Sequence, residues 1–123
     1  MAGIRRKGRI VMKYFVNESE RKASSSTCYF EFQKGKYHDE CWLPDSLSIH
    51  MDLFDELKLY DLISSVVPSF DYYGLTEIDR NDWSNIVKQA HLVGGQVEEA
   101  ICEANPWALD CFSEMPIITI CGI

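Results

Sequence analysis

The chain has 123 residues, of which 46% are apolar and 25% charged, and a net charge of −7. That is the size of one domain, able to bury an independent core without disulfide or metal support. No run reaches the ~18 apolar residues of a membrane helix, and the acidic balance repels nucleic acid and attracts basic proteins.

Residues 1–8 read as a disordered basic leader and 9–123 as one domain. The leader has positive charge but no apolar stretch behind it, so it is not a secretory signal, and a cytoplasmic protein with no membrane partner is expected. Charge is unevenly spread. Residues 1–24 hold seven Lys and Arg against Glu18 and Glu20, a balance of +5, while residues 25–123 stand at −12.

Gly8 to Val16 alternates as a strand does. Asn17 to Ser26 is polar and Ser-rich and reads as a loop. Thr27 to Gln33 is a second strand, with Cys28, Phe30 and Phe32 on one face and Tyr29 and Glu31 on the other. Lys34-Gly35 supplies a turn with access to positive φ, and Lys36 to Trp42 is expected to return as a third strand. Pro44-Asp45-Ser46 breaks the sheet. Ser48 then caps a helix through Val67, whose stripe is Ile49, Leu53, Phe54, Leu57, Tyr60, Ile63 and Val67. Pro68 stops it.

Ser69 to Gly74 is a short aromatic loop or brief strand. Asp79 caps the next helix, with Asp82 in its first turn and Trp83, Ile86, Val87, Ala90 and Val93 on its buried face. Gly94-Gly95 ends or kinks it. Helical spacing resumes through Val97, Ala100, Ile101 and Ala104, and Pro106 suits the first position of a last turn holding Trp107, Cys111 and Phe112. The run Pro116 to Ile123 has four isoleucines and must be buried, so it reads as a core strand. The predicted fold is α+β: an antiparallel sheet of an N-terminal three-stranded meander plus a C-terminal strand, packed against two to four helices.

No catalytic or metal motif assembles from spacing. His38-Asp39-Glu40-Cys41 has ligand-type residues, but on a strand His38 and Cys41 face opposite ways and no second pair follows. The five cysteines, Cys28, Cys41, Cys102, Cys111 and Cys121, contain no CxxC and read as reduced packing residues. A pairing with His38, His50 or His91 keeps a small Cys/His enzyme as an alternative. A small-molecule-binding regulatory domain, with Trp42 or Trp107 lining a cavity, is another. Phosphate-binding glycine motifs are absent, and no cofactor is expected.

What remains is an acidic surface interleaved with aromatics. Asp52, Asp55 and Glu56 lie at i, i+3 and i+4 on one helix face. Asp71 adjoins Phe70, Tyr72 and Tyr73, and Tyr60 adjoins Asp61. Tyrosine anchors ringed by charge suit a fast, tight protein interface. The candidate partner-binding residues are therefore Asp52, Asp55, Glu56, Asp71, Tyr72 and Tyr73.

The Asp82-Trp83-x-x-Ile86 helix start, the Pro106-Trp107 turn and the Phe112…Ile118-Thr-Ile-Cys-Gly-Ile123 ending resemble bacterial immunity proteins. These protect cells against polymorphic toxins such as contact-dependent growth inhibition effectors. The resemblance covers mostly residues 68–123. It implies a cytoplasmic, non-enzymatic inhibitor. Its partner would be the C-terminal domain of one cognate toxin, often a basic nuclease, whose active site the acidic face would cover. Apart from the resemblance, five cysteines and a long apolar terminus admit a monomer or a homodimer.

Overall fold

In a computed structural model of the protein, which describes residues 12–123, the apolar ending of the chain becomes an inner strand of the sheet. The elements run β1 (Phe15–Val16), α1 (Glu18–Ala23), β2 (Tyr29–Lys34), β3 (Leu47–His50), α2 (Met51–Glu56), α3 (Leu59–Val66), β4 (Leu75–Asp79), α4 (Arg80–Val93), α5 (Gly95–Phe112) and β5 (Ile117–Cys121). The strands form one antiparallel sheet in the order β1-β3-β2-β5-β4. The fold is α+β, with an antiparallel sheet packed against helices. The basic leader and the start of the first expected strand lie outside the described residues.

Register decides which face is dry. Phe30 sits opposite Ile49 and Phe32 opposite both Leu47 and Ile120, while Ile78 pairs with Ile118. These side chains share one core with Phe54, Ile63, Ile86, Ile101 and Ala104 from the helices. Ile118 and Ile120 are fully buried, and each contributes roughly 1.5–3 kcal/mol by leaving water.

The opposite face of the sheet is polar yet also covered. Glu31, Gln33 and Thr119 are buried there. The Glu31 carboxylate accepts from the Leu43 amide (2.8 Å) and the Ser46 hydroxyl (2.6 Å). Gln33 donates to Glu31 (3.0 Å) and to the Glu40 carbonyl (2.9 Å). These bonds draw residues 36–46 across the sheet as an irregular loop, so the expected third strand at Lys36–Trp42 does not form. A buried carboxylate needs donors, and the loop backbone supplies one. Asp39 and Trp42 also take positive φ, 63° and 66°, which a strand cannot hold.

The third strand of the N-terminal group is instead Leu47–His50, and with β1 on its far side the order is not a meander. That strand consumes the start of the expected long helix. Ser48 is buried in the sheet, and His50 is the N-cap of α2, its Nδ1 accepting the Asp52 amide at 3.1 Å. The helix then breaks at Lys58, which takes a left-handed conformation (φ 56°) between α2 and α3.

Three further differences have local causes. Asn17–Ser26 contains α1, because Asn17 and Glu20 form a reciprocal capping box (2.9 and 3.0 Å). Leu75–Asp79 is a strand with Thr76 and Ile78 inward. Pro106 lies inside α5 rather than opening a new turn. It removes one amide from the helix ladder, but Ala104, Ala108, Cys111 and Phe112 remain buried around it. Asp79 caps α4 as the sequence predicts, and Asp82 answers it, so that the two form a reciprocal capping box (2.8 and 3.0 Å). Trp83, Ile86 and Ala90 are buried, while Val93 is exposed. Gly94 and Gly95, both at positive φ, turn α4 into α5.

Candidate functional site

Between α3 and β4 the chain makes a tight loop, Ser69 to Gly74. Phe70 drives its ring into the core beside Phe54 (6.1 Å between centroids). Asp71 then locks the turn: its Oδ1 accepts the Tyr73 amide (2.9 Å), and its own amide donates to Thr76 Oγ1 (3.0 Å). The segment after β5 holds the loop from the other side. The Gly122 amide donates to the Gly74 carbonyl (2.7 Å) and the Ile123 amide to the Tyr72 carbonyl (2.9 Å). Gly122 has to be glycine. A Cβ there would meet the Tyr72 carbonyl oxygen at 2.2 Å.

Tyr72 joins this loop to α2. Its hydroxyl donates to both Asp55 oxygens, at 2.8 and 3.0 Å, and its ring packs edge-on to Phe30 at 5.0 Å. Burial first, and the Asp55 carboxylate second, push the Tyr72 phenol up to about 12. Asp52 adds to the negative field on it. Tyr60 of α3 and Tyr73 flank the same ring at 6.2 and 4.8 Å, each inclined by 61°. The result is an open groove of about 580 Å³ lined by Tyr60, Ser69, Phe70, Asp71, Tyr72 and Tyr73.

Five of the six residues expected from sequence meet here. Asp71, Tyr72 and Tyr73 line the groove, Asp55 bonds Tyr72, and Asp52 lies close enough to bias it. Glu56 is exposed on α2 and enters no ion pair among the described residues. Tyr60, Ser69 and Phe70 are the lining residues outside that set, and of these Tyr60 is the exposed aromatic. On one unbroken helix its position belongs to the buried stripe. The turn at Lys58 leaves it 41% exposed, and only its neighbour Asp61 marks it as surface in the sequence.

No family model, curated protein or solved structure matches the chain. The functional reading therefore rests on the residues themselves.

Other chemistries find less. Burial pushes the Cys111 thiol up and the Cys121 thiol up to about 12, away from the thiolate that a nucleophile needs. His50 Nε2 bonds Ser26 Oγ (2.9 Å), His38 Nε2 bonds the Lys34 carbonyl (2.9 Å), and His91 pairs with Glu98. No histidine bonds a cysteine among the described residues. None of the described residues form a group of three or more His, Cys, Asp or Glu placed to hold a metal ion, and no helix among them is long and apolar enough to cross a membrane. Trp107 lines an open depression of about 400 Å³, and its indole donates to the Asp45 carbonyl (2.9 Å).

The Tyr72–Asp55 bond is open to direct measurement. The folded Tyr72 value lies above the ordinary 10.0, so its neutral form is favoured by folding. That stability is present below about pH 10 and is lost as the pH rises through about 12. In an alkaline titration of phenolate absorbance, Tyr72→Phe is expected to remove a late-titrating step. Asp55→Asn should lower its midpoint only part-way, because burial remains. An unchanged titration in Tyr72→Phe would show that Tyr72 is not the group held neutral.

Proposed function

We propose that the protein is an immunity-type inhibitor that binds the C-terminal domain of a cognate toxin, with a basic nuclease as the target chemistry. The observation that carries this is convergence. Asp55 and Asp71, from separate elements, are brought together with Tyr72 and Tyr73 on one exposed surface. Exposed carboxylates around aromatic anchors accelerate encounter with a basic partner and then hold it. The balance of −12 over residues 25–123 extends the attraction beyond the groove. The resemblance of residues 68–123 to immunity proteins points the same way.

In this reading the protein acts in the cytoplasm, without cofactor or catalysis, as a monomer or homodimer that occludes the toxin's basic site. Nucleic acid and membrane are not partners. Asp52, Asp55, Glu56 and Asp71 set the rate of encounter, and Tyr72 and Tyr73 slow dissociation.

The test is co-purification with the product of the neighbouring upstream gene, followed by rescue of cells expressing that product. Failure of both, across every toxin-like neighbour tried, overturns the proposal. Within a complex, Asp52→Asn and Asp71→Asn are each expected to slow association several-fold at low salt and to matter little near 1 M salt, where screening shrinks to ~3 Å. Stopped-flow association at several ionic strengths measures this. Rates indifferent to salt would remove the acidic face from the mechanism.

A further inference from the structure

Among the described residues, the chain lays its own cations over four aromatic rings that are buried or half-buried. Arg21 lies over Trp42 (4.6 Å), Lys13 over Tyr14 (5.3 Å), Lys34 over Trp107 and Arg80 over Phe112 (both 5.8 Å). The most aromatic surface of the molecule is treated differently. Tyr60, Phe70, Tyr72 and Tyr73 gather in one open groove, yet no cation of the described chain lies over any of these rings, and no Lys, Arg or His lines it. Its polar lining includes Asp71, and Asp55 sits on the Tyr72 hydroxyl. The ring faces are electronegative by their quadrupoles, and the aspartates reinforce that field.

We propose that this groove receives a guanidinium: an arginine side chain of the partner protein enters it and stacks on the Tyr60 and Tyr73 faces. The inference deepens the inhibitor reading and rests on it for the source of the arginine. Three features select this occupant. Tyr60 and Tyr73 are 41% and 77% exposed and flank Tyr72 at the same 61° inclination, so ring faces are presented at the surface. Asp71 uses Oδ1 on the Tyr73 amide and rests Oδ2 against Gly74; Oδ2 accepts no hydrogen bond from the described residues, so the carboxylate offers a guanidinium its charge and at most one acceptor. A guanidinium is planar, weakly hydrated and able to stack and donate at once, whereas an ammonium holds its water more tightly. Phe70 and the Tyr72 backbone are fixed by the core and by Ile123, so the groove is formed before the partner arrives.

The probe is ethylguanidinium, titrated into the protein and followed by amide shifts in ¹H–¹⁵N spectra. Saturable shifts confined to Tyr60 and residues 69–74 are expected, with none from sodium chloride at matched ionic strength or from neutral tert-butanol. Tyr73→Leu should weaken binding roughly tenfold, and Tyr73→Phe should retain it. Tyr73 is exposed, so neither change threatens the fold. Shifts spread evenly over the acidic surface, or binding indifferent to Tyr73→Leu, would mean simple charge attraction and overturn the inference. So would tetramethylammonium binding ten times more tightly than ethylguanidinium, which assigns the groove to a free quaternary amine. These titrations use no toxin. Guanidinium binding without any toxin complex would support the groove and count against the inhibitor reading. A toxin complex indifferent to both Tyr60→Leu and Tyr73→Leu would keep the inhibitor reading and remove the arginine.

Discussion

Gly122→Ala is expected to lower stability by about 2–3 kcal/mol and to disable the groove from behind. The added methyl would lie 2.2 Å from the Tyr72 carbonyl oxygen and 2.7 Å from its carbon. Both are backbone atoms, so no rotamer change relieves the contact. Either the end of β5 or the Tyr72 backbone must move. If the loop moves, the Ile123–Tyr72 and Gly122–Gly74 bonds stretch and the Tyr72 hydroxyl leaves Asp55. Urea denaturation gives the stability loss, and phenolate titration reports the site: Tyr72 should fall back toward its ordinary value. A variant as stable as the parent, with Tyr72 still titrating late, would show that the loop is not clamped by the segment after β5.

Glu31→Ala is the second large effect. The carboxylate is 1% exposed and holds the Leu43 amide, the Ser46 hydroxyl and the Gln33 amide nitrogen. Its removal leaves these donors without their acceptor and should cost about 2–4 kcal/mol. Glu31→Gln keeps an acceptor for Leu43 and Ser46 but sets two donors face to face at Gln33, so its cost should be near 1 kcal/mol. The loss is expected first as local opening of residues 36–46, with faster tryptic cleavage after the exposed Lys36. If Glu31→Ala unfolded at the same urea concentration as the parent, the polar face of the sheet would be incidental to the fold.

How much was legible depended on whether a signal was local. The apolar run Ile117–Ile120 announced a buried strand, and β5 is an inner one. The Asp79 cap was written within one helical turn and formed as read, with Asp82 closing it from the other side. The strand Leu47–His50 was hidden because it passes into α2 without a turn, and Ile49 and Leu53 have a helical spacing that disguises the join. The break at Lys58 carried no Gly or Asn to mark it. Lysine in a left-handed conformation costs roughly 1–2 kcal/mol, which tertiary packing of Leu59, Leu62 and Ile63 offsets. For the site, residue types were enough to propose Asp55, Asp71, Tyr72 and Tyr73. The Asp55–Tyr72 bond spans 17 positions, and only the fold supplies it. Tyr60 was read both as a stripe residue and, beside Asp61, as surface, and the break at Lys58 decides for the surface.

The strand order also governs when this molecule can fold. β2 and β4 are separated by some forty residues of sequence, and both pair with β5. During synthesis the ribosome therefore releases two strand edges well before the strand that joins them. Pairings this distant in sequence are slow to form, and until they do, β2 and β4 offer unpaired amides and carbonyls to any extended chain nearby. A nascent protein of this topology depends on the interval before residue 121 emerges, and a pause within that interval should promote aggregation more than one after it.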